Sequence, residues 1–278
     1  PLIRSQMLYP VKLQALDQIK ISYFYIFIYI IVSIMNSVIV LKTEISTTTV
    51  ENVAKYLKNE KSKTVAICNS NTLVRSYRDP IIQDKINSFN IKAPDGFPVA
   101  KSSKILYKNH QGRVDGYNVF LKTIEVGIDE GLTHYFYGSN KTVMKLMIEN
   151  LKIKYPEIKI TGFFCPPVKS YNELSEEKYT KDLIDKNADV VWVSLGFPKQ
   201  EEFIYELKSK YKISSNLVGV GAVFEWVAKT KFKAPELMAN LGLEWIIRLI
   251  QEPKRLFRRY LIDNFLFIIY FIKQYLSR

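Results

Sequence analysis

Asp95 lies in Pro-Asp-Gly-Phe-Pro at residues 94–98, where a short apolar run meets a tight turn. A carboxylate fixed on a rigid turn at a strand end is well placed to act as a general base, and Asp-Gly is equally a plain turn-forming pair. Gln200 and Glu201 stand in Gly-Phe-Pro-Lys-Gln-Glu (196–201), directly after the β-branched run 189–195. An amide and carboxylates at the carboxyl end of a buried strand can grip a ligand, or can be the charged first turn of an ordinary helix. Asn69 and Asn71 close the strand candidate Lys63–Cys68, where their amides could bond sugar hydroxyls or cap the next helix. Arg113, in Gln-Gly-Arg-Val-Asp-Gly, could pair with phosphate or remain solvated.

Other chemistries are excluded by pattern. Gly219-Val-Gly-Ala-Val-Phe224 follows a strand but has Phe224 where a dinucleotide fingerprint needs its third glycine. The chain has no P-loop and no Asp-x-Asp pair for a divalent metal. Phosphate chemistry would therefore rest on backbone amides, helix termini and arginines. His110 and His134 have no metal-ligand spacing and are expected to be structural or solvated. Cys68 and Cys165 supply neither a disulfide framework nor a zinc cluster, which makes a reduced cytosolic setting the default.

The 278 residues, 47% hydrophobic, suffice for one large α/β domain or two small ones. A net charge of +13 points to anionic partners: nucleic acid, a phosphorylated small molecule or an acidic lipid surface. Strand and helix patterns alternate about six times with short connections, predicting an α/β, Rossmann-like, mostly parallel sheet with helices on both faces. Ser37–Leu41 reads as its first strand, leading to a helix capped near Thr49, and Ser175 reads as the cap of a helix at about 176–186.

Two ends depart from that alternation. No charge falls between Lys20 and Lys42; if the α/β domain takes Val38–Leu41, the apolar helix left at 21–34 is about 21 Å long, short of a bilayer core of roughly 30 Å. Residues 1–34 are thus expected as an apolar extension for which a membrane anchor stays open, 35–242 as the α/β domain, and 243–278 as a basic, amphipathic C-terminal helical appendage. In that appendage Lys254, Arg255, Arg258 and Arg259 precede the aromatic and aliphatic run 265–272, a composition suited to a membrane interface or to packing on the domain.

Taken in order, the blocks Asn-Ser-Asn (69–71), Pro-Asp-Gly-Phe-Pro (94–98), Arg-Val-Asp-Gly (113–116), Tyr-Phe-Tyr-Gly-Ser (135–139), Gly-Phe-Phe-Cys-Pro-Pro (162–167), Gly-Phe-Pro-Lys-Gln-Glu (196–201), Gly-Val-Gly-Ala-Val-Phe (219–224), Lys-Ala-Pro (233–235) and Gly-Leu-Glu-Trp (242–245) resemble the WecG/TagA/CpsF family of bacterial glycosyltransferases. The likeness runs from about residue 36 to 262. It implies a metal-independent, cofactor-free inverting transfer of an N-acetylhexosamine or related sugar from a UDP-sugar donor to a polyprenyl-diphosphate-linked acceptor. It further implies work at the inner face of the plasma membrane, with no nucleic acid as partner and a homo-oligomer left open. By the same resemblance Asp95 is the base. Asn69, Asn71, Arg113, Gly138, Gln200, Glu201, Arg248, Arg255 and Arg258 fall on substrate-binding positions. Departures are Asn69 for threonine, Glu225 for aspartate, Lys229 for glycine and Lys233 for arginine, the last losing a bidentate fork.

Overall fold

The computed structural model describes residues 37–108 and 110–278. A hairpin, β1 (Ser37–Val40) and β2 (Thr43–Ser46), leads into α1 (Val50–Asn59). There follow β3 (Thr64–Cys68), α2 (Ser70–Arg78), α3 (Pro80–Asn87), β4 (Ile91–Pro94), α4 (Phe97–Tyr107), α5 (Gly116–Gly127), β5 (Thr133–Gly138) and α6 (Lys141–Lys154). Next come β6 (Lys159–Phe164), α7 (Tyr171–Leu174), α8 (Glu177–Lys186), β7 (Val190–Ser194), α9 (Lys199–Lys210) and β8 (Asn216–Gly219). The chain closes with α10 (Val223–Val227), α11 (Glu236–Asn240), α12 (Glu244–Gln251), α13 (Pro253–Arg258), a π-helical turn (Arg259–Asp263) and α14 (Asn264–Leu276).

The main sheet has the order β4-β3-β8-β7-β5-β6, every neighbouring pair parallel. Period-two alternation sends Cys68, Tyr137, Val193 and Leu217 to one face, with α2, α3, α4, α9 and Phe267 of α14. The opposite face buries Ile67, Phe136, Trp192 and Val218 under α1, α5, α6 and α10. Both faces are therefore covered, as an all-parallel sheet requires. His134 is structural as expected: it is fully enclosed, its Nδ1 accepts from Trp192 Nε1 at 3.2 Å, and burial depresses its pKa to about 4, keeping the ring neutral.

Two local expectations are corrected. Ser37–Val40 does not open the main sheet; it pairs with β2 in a separate two-stranded sheet. Leu41 and Lys42 both adopt positive φ (48° and 62°), the backbone of a two-residue hairpin turn, so the chain reverses there. The free side of β1 is covered by Gln274 of α14, which donates to Ile39 O at 2.8 Å and accepts from Leu41 N at 2.9 Å. Ser175 is likewise not the N-cap of α8: it is the C-cap of α7, its hydroxyl donating to Asn172 O, and Glu176 takes the N-cap position of α8 without a side-chain capping bond. Thr49 and Asn69 do cap α1 and α2, accepting from Asn52 N and Thr72 N.

The hairpin takes Val38–Leu41 into the fold, while the apolar extension at 1–34 lies outside the described residues. Among those described, no helix is long and apolar enough to cross a membrane.

Candidate active site

Because every strand of the main sheet points the same way, the loops leaving β3, β4, β5, β7 and β8 gather at one edge, and β8, last in sequence, is inserted at the centre. These loops line a polar cleft of about 230 Å³, whose walls include Asn69, Asp95, Ser139, Gly196, Gln200 and Gly221. Trp226, Glu225, Glu244, Arg248 and Arg255 close it from the C-terminal helices. Beside it lies a more apolar cavity of about 340 Å³ between the β3 and β4 ends, α11, α12 and α14, lined by Asn71, Phe97, Arg113, Trp245, Tyr260, Phe267 and Ile268. Asn69, Asp95, Glu244 and Arg248 belong to both, forming the wall between them.

Asp95 is anchored through its backbone, its N–H donating to Cys68 O at 2.8 Å. Its carboxylate opens onto the cavities while protein encloses its other sides. That burial, reinforced by the charges of Glu244 and Asp115 and opposed by Arg113 and Arg248, pushes its pKa up to about 7. A carboxyl group titrating there is matched to proton transfer near neutral pH.

Gln200 has a supporting geometry. Only 4% exposed, it accepts through Oε1 from Gly196 N (3.2 Å) and Gly221 N (3.0 Å), and its Nε2 donates to Glu201 Oε1 at 2.8 Å. One amide thus ties the β7–α9 loop to the β8–α10 loop and sets the shape of the cleft floor. Gly219 beneath it has no room for a side chain, since a Cβ would stand 2.9 Å from Gln200 Nε2. Gly138 serves similarly through its backbone: at φ 128° a Cβ would meet Ser194 O at 2.3 Å, and its neighbour Ser139 reaches the cleft.

The charged residues distribute unevenly. Arg248 leans over the Trp226 ring, 5.3 Å from its centroid, and has no ion pair among the described residues, so it is the cation available to both cavities. Arg255 lines the polar cleft while pairing with Glu252, which Lys231 bridges to Glu225. Arg113 is held by two carboxylates, Glu244 at 2.7 Å and Asp115 at 3.4 Å. Asn71 lines the apolar cavity with its amide donating to Asp263 of the π-helical turn. Glu201 and Arg258 line neither cavity: Glu201 is buried beneath Gln200, and Arg258 points to the exterior.

Glu244, Trp226, Trp245, Tyr260 and Phe267 were not marked as site residues in the sequence. For Glu244 a signal existed: it precedes Arg248 by four positions, which puts both on one helical face. The aromatic residues carry no local signal, because only tertiary packing turns them toward a cavity. Two departures are also explained. Asn69 keeps the capping bond that a threonine would make, and Lys229 stands at φ 57°, in the left-handed region where glycine is unstrained.

The raised pKa of Asp95 makes a stability prediction. Its folded value of about 7 lies above its ordinary 3.8, so ionising it costs the folded state, the cost appearing as pH rises past 4 and reaching its full size above 7. Asp95→Asn should therefore stabilise the protein at pH 8 by on the order of 1–3 kcal/mol, and by little at pH 4. Urea melts of both proteins at the two pH values measure this; equal gains at both would contradict it.

Comparison with known proteins agrees with this architecture. The model of the glycosyl transferase WecG/TagA/CpsF family matches residues 38–278. The chain is 28% identical over 200 residues, 72% of this chain and 76% of the relative, to the N-acetylglucosaminyldiphosphoundecaprenol N-acetyl-beta-D-mannosaminyltransferase of Bacillus subtilis (strain 168). It is 26% identical over 222 residues, 79% of this chain and 85% of the relative, to the protein of the same name from Staphylococcus aureus (strain MW2). With the family model spanning the hairpin, the sheet and the C-terminal helices that enclose both cavities, the chain belongs to the WecG/TagA/CpsF family of glycosyltransferases.

Proposed function

We propose that this glycosyltransferase moves an N-acetylhexosamine from a UDP-sugar to a lipid-diphosphate-linked acceptor, with inversion and without a metal. The observation that carries this reading is the Asp95 carboxylate, without a hydrogen-bond or ion-pair partner among the described residues, in the wall shared by a polar cleft and an amphipathic cavity. The polar cleft takes the donor. Its backbone amides and side-chain oxygens suit a sugar and a diphosphate, with Arg248 and Arg255 supplying positive charge. The neighbouring cavity takes the acceptor, its aromatic and aliphatic lining suiting the start of a lipid chain and Asn71 and Asn69 a sugar. The names of the bacterial relatives, which describe transfer to an undecaprenyl-diphosphate-linked sugar, support the same assignment.

In the transfer, the acceptor hydroxyl oxygen attacks the anomeric carbon from the face opposite the diphosphate. Asp95 accepts the hydroxyl proton as the new carbon–oxygen bond forms. The bond from the anomeric carbon to the UDP oxygen breaks, and the electron pair leaves on the diphosphate, whose added charge Arg248 and Arg255 offset. Exclusion of water by Trp226 and the C-terminal helices strengthens those attractions.

Such an acceptor resides in a membrane, and α14 offers a surface for one. Phe265, Ile269, Ile272 and Leu276 are exposed on it, with Lys273 beside them and Lys254 and Arg258 exposed on α13. Ile268, in the same helix, lines the amphipathic cavity, so the cavity mouth opens beside this apolar face. The protein would thus sit peripherally on the inner face of the plasma membrane and draw the acceptor sideways from the lipid.

Two experiments test this reading. Asp95→Asn should lower turnover of a UDP-N-acetylhexosamine with a lipid-diphosphate acceptor by roughly 10²-fold or more while UDP still raises the melting temperature; turnover within a few-fold of wild type would remove Asp95 from the role. The triple variant Phe265→Ser, Ile269→Ser, Ile272→Ser should partition to anionic phospholipid vesicles roughly tenfold less than wild type in flotation. Equal flotation would rule out α14 as the contact.

A further inference from the structure

Asp95 is faced by four charged groups: Glu244 and Arg248 from α12, and Arg113 and Asp115 from the segment entering α5. Behind it the end of β3 adds Cys68, whose thiol burial keeps protonated. A guanidinium that pairs directly with a carboxylate lowers its pKa by about 1–3 units, which would make Asp95 a poor base at neutral pH. Arg113 is close enough to act on Asp95 electrostatically, yet its donors are directed elsewhere. Nη1 lies 2.7 Å from Glu244 Oε2 and Nη2 lies 3.4 Å from Asp115 Oδ2, with the side chain only 9% exposed. Asp115 is itself fixed, accepting from Asn118 N at 3.2 Å and from Asn118 Nδ2 at 2.7 Å.

We propose that Glu244 is a positioning residue for the transfer step: by drawing Arg113 onto itself and Asp115, it keeps that guanidinium off Asp95 and leaves the Asp95 carboxylate open to the acceptor hydroxyl. The proposal rests on Asp95 being the base. Glu244 is suited to the task because it reaches Arg113 from α12 and takes Nη1 while Asp115 takes Nη2, so the two carboxylates engage both terminal nitrogens of the guanidinium. The same helical turn that supplies this anion carries Arg248, which lines both cavities and has no ion pair among the described residues. Docking of α12 therefore sets two charges at once: a cation where the diphosphate leaves, and an anion that occupies the cation nearest the base.

Without the Glu244 carboxylate, the anions that act on Arg113 are Asp115 and Asp95. Glu244→Gln should then bring Arg113 onto Asp95, move the acidic limb of the kcat/KM profile down by at least about one pH unit, and lower the plateau rate, since a more acidic carboxyl is a weaker base. A residue that only stabilised the fold would change the rate without moving the limb.

The deciding experiment titrates Asp95 directly. In the full chain labelled with aspartate ¹³Cγ, the Asp95 resonance is assigned by its loss in Asp95→Asn, and its midpoint is followed by NMR in wild type, Glu244→Gln, Glu244→Asp, Arg113→Gln, and Glu244→Gln combined with Arg113→Gln. The expected midpoint is about 7 in wild type and at least about one unit lower in Glu244→Gln. Losing the Glu244 charge lowers the midpoint by itself, so the share carried by Arg113 is read from the cycle. Glu244→Gln should lower the midpoint clearly more when Arg113 is present than in the Arg113→Gln background, and Glu244→Asp, which keeps the charge but loosens the grip, should lower it by a smaller amount. An unchanged midpoint in both Glu244 variants, or the same fall on Glu244→Gln with and without Arg113, overturns the role of Glu244 while leaving Asp95 as base. Full turnover in Asp95→Asn removes the base itself, and the proposal with it.

Discussion

A carboxyl group that must be desolvated to become basic, yet left without a partner so that it can take a proton, is an expensive group to hold in a folded protein. Asp95 is such a group, and much of the surrounding structure exists around that constraint. Its backbone is tied to the end of β3, so the side chain is presented by the sheet rather than by a free loop. The cations near it are committed elsewhere, Arg113 to Glu244 and Asp115, or set back over an aromatic ring, as Arg248 is over Trp226. The balance of burial and charge at this one oxygen pair links the sheet, the α5 entry and the C-terminal helices into a single site.

The C-terminal helices accordingly contribute lining to that site. Gln251 exchanges hydrogen bonds with the backbone of Phe232 in both directions, and Lys231 bridges Glu225 to Glu252, fastening α12 and α13 to the rim of the polar cleft. Beyond the π-helical turn, α14 packs Phe267 into the core and lays Gln274 along the edge of β1. Phe265, Ile269, Ile272 and Leu276 of the same helix are exposed, beside the cavity that Ile268 lines. One helix thereby contributes to folding, to a cavity wall and to an exposed apolar surface, and the π-helical turn before it brings Asp263 to Asn71.

What the sequence made legible was whatever depends on short-range pattern. The alternation of strands and helices, the Asn69 and Thr49 caps and the gathering of Asp95, Asn69 and Gln200 at strand ends follow from periodicity and turn chemistry. Long-range pairing was not legible. Nothing local says that β8 enters the centre of the sheet, or that Leu41 and Lys42 reverse the chain, since neither is a usual hairpin-turn residue. Arg113 reads as a phosphate partner or a solvated cation because its partner Glu244 lies 131 positions away, and Gln200 reads as a ligand-gripping amide or part of a plain helix start, while most of its hydrogen bonds go to two glycine loops. The family resemblance pointed to which residues gather at the site, and the geometry divides them between those that line a cavity and those that hold the lining in place.

The central claim is that two separate cavities meet at Asp95, one for the nucleotide donor and one for the lipid-linked acceptor. Hydrogen–deuterium exchange with UDP alone, with a short-chain lipid-diphosphate acceptor alone, and with both together tests it most directly. UDP should protect residues 194–201 and 219–226, the acceptor should protect 239–245 and 260–268, and the two patterns should add when both ligands are present. Mutual displacement of the ligands, or protection of the same segments by each, would contradict it.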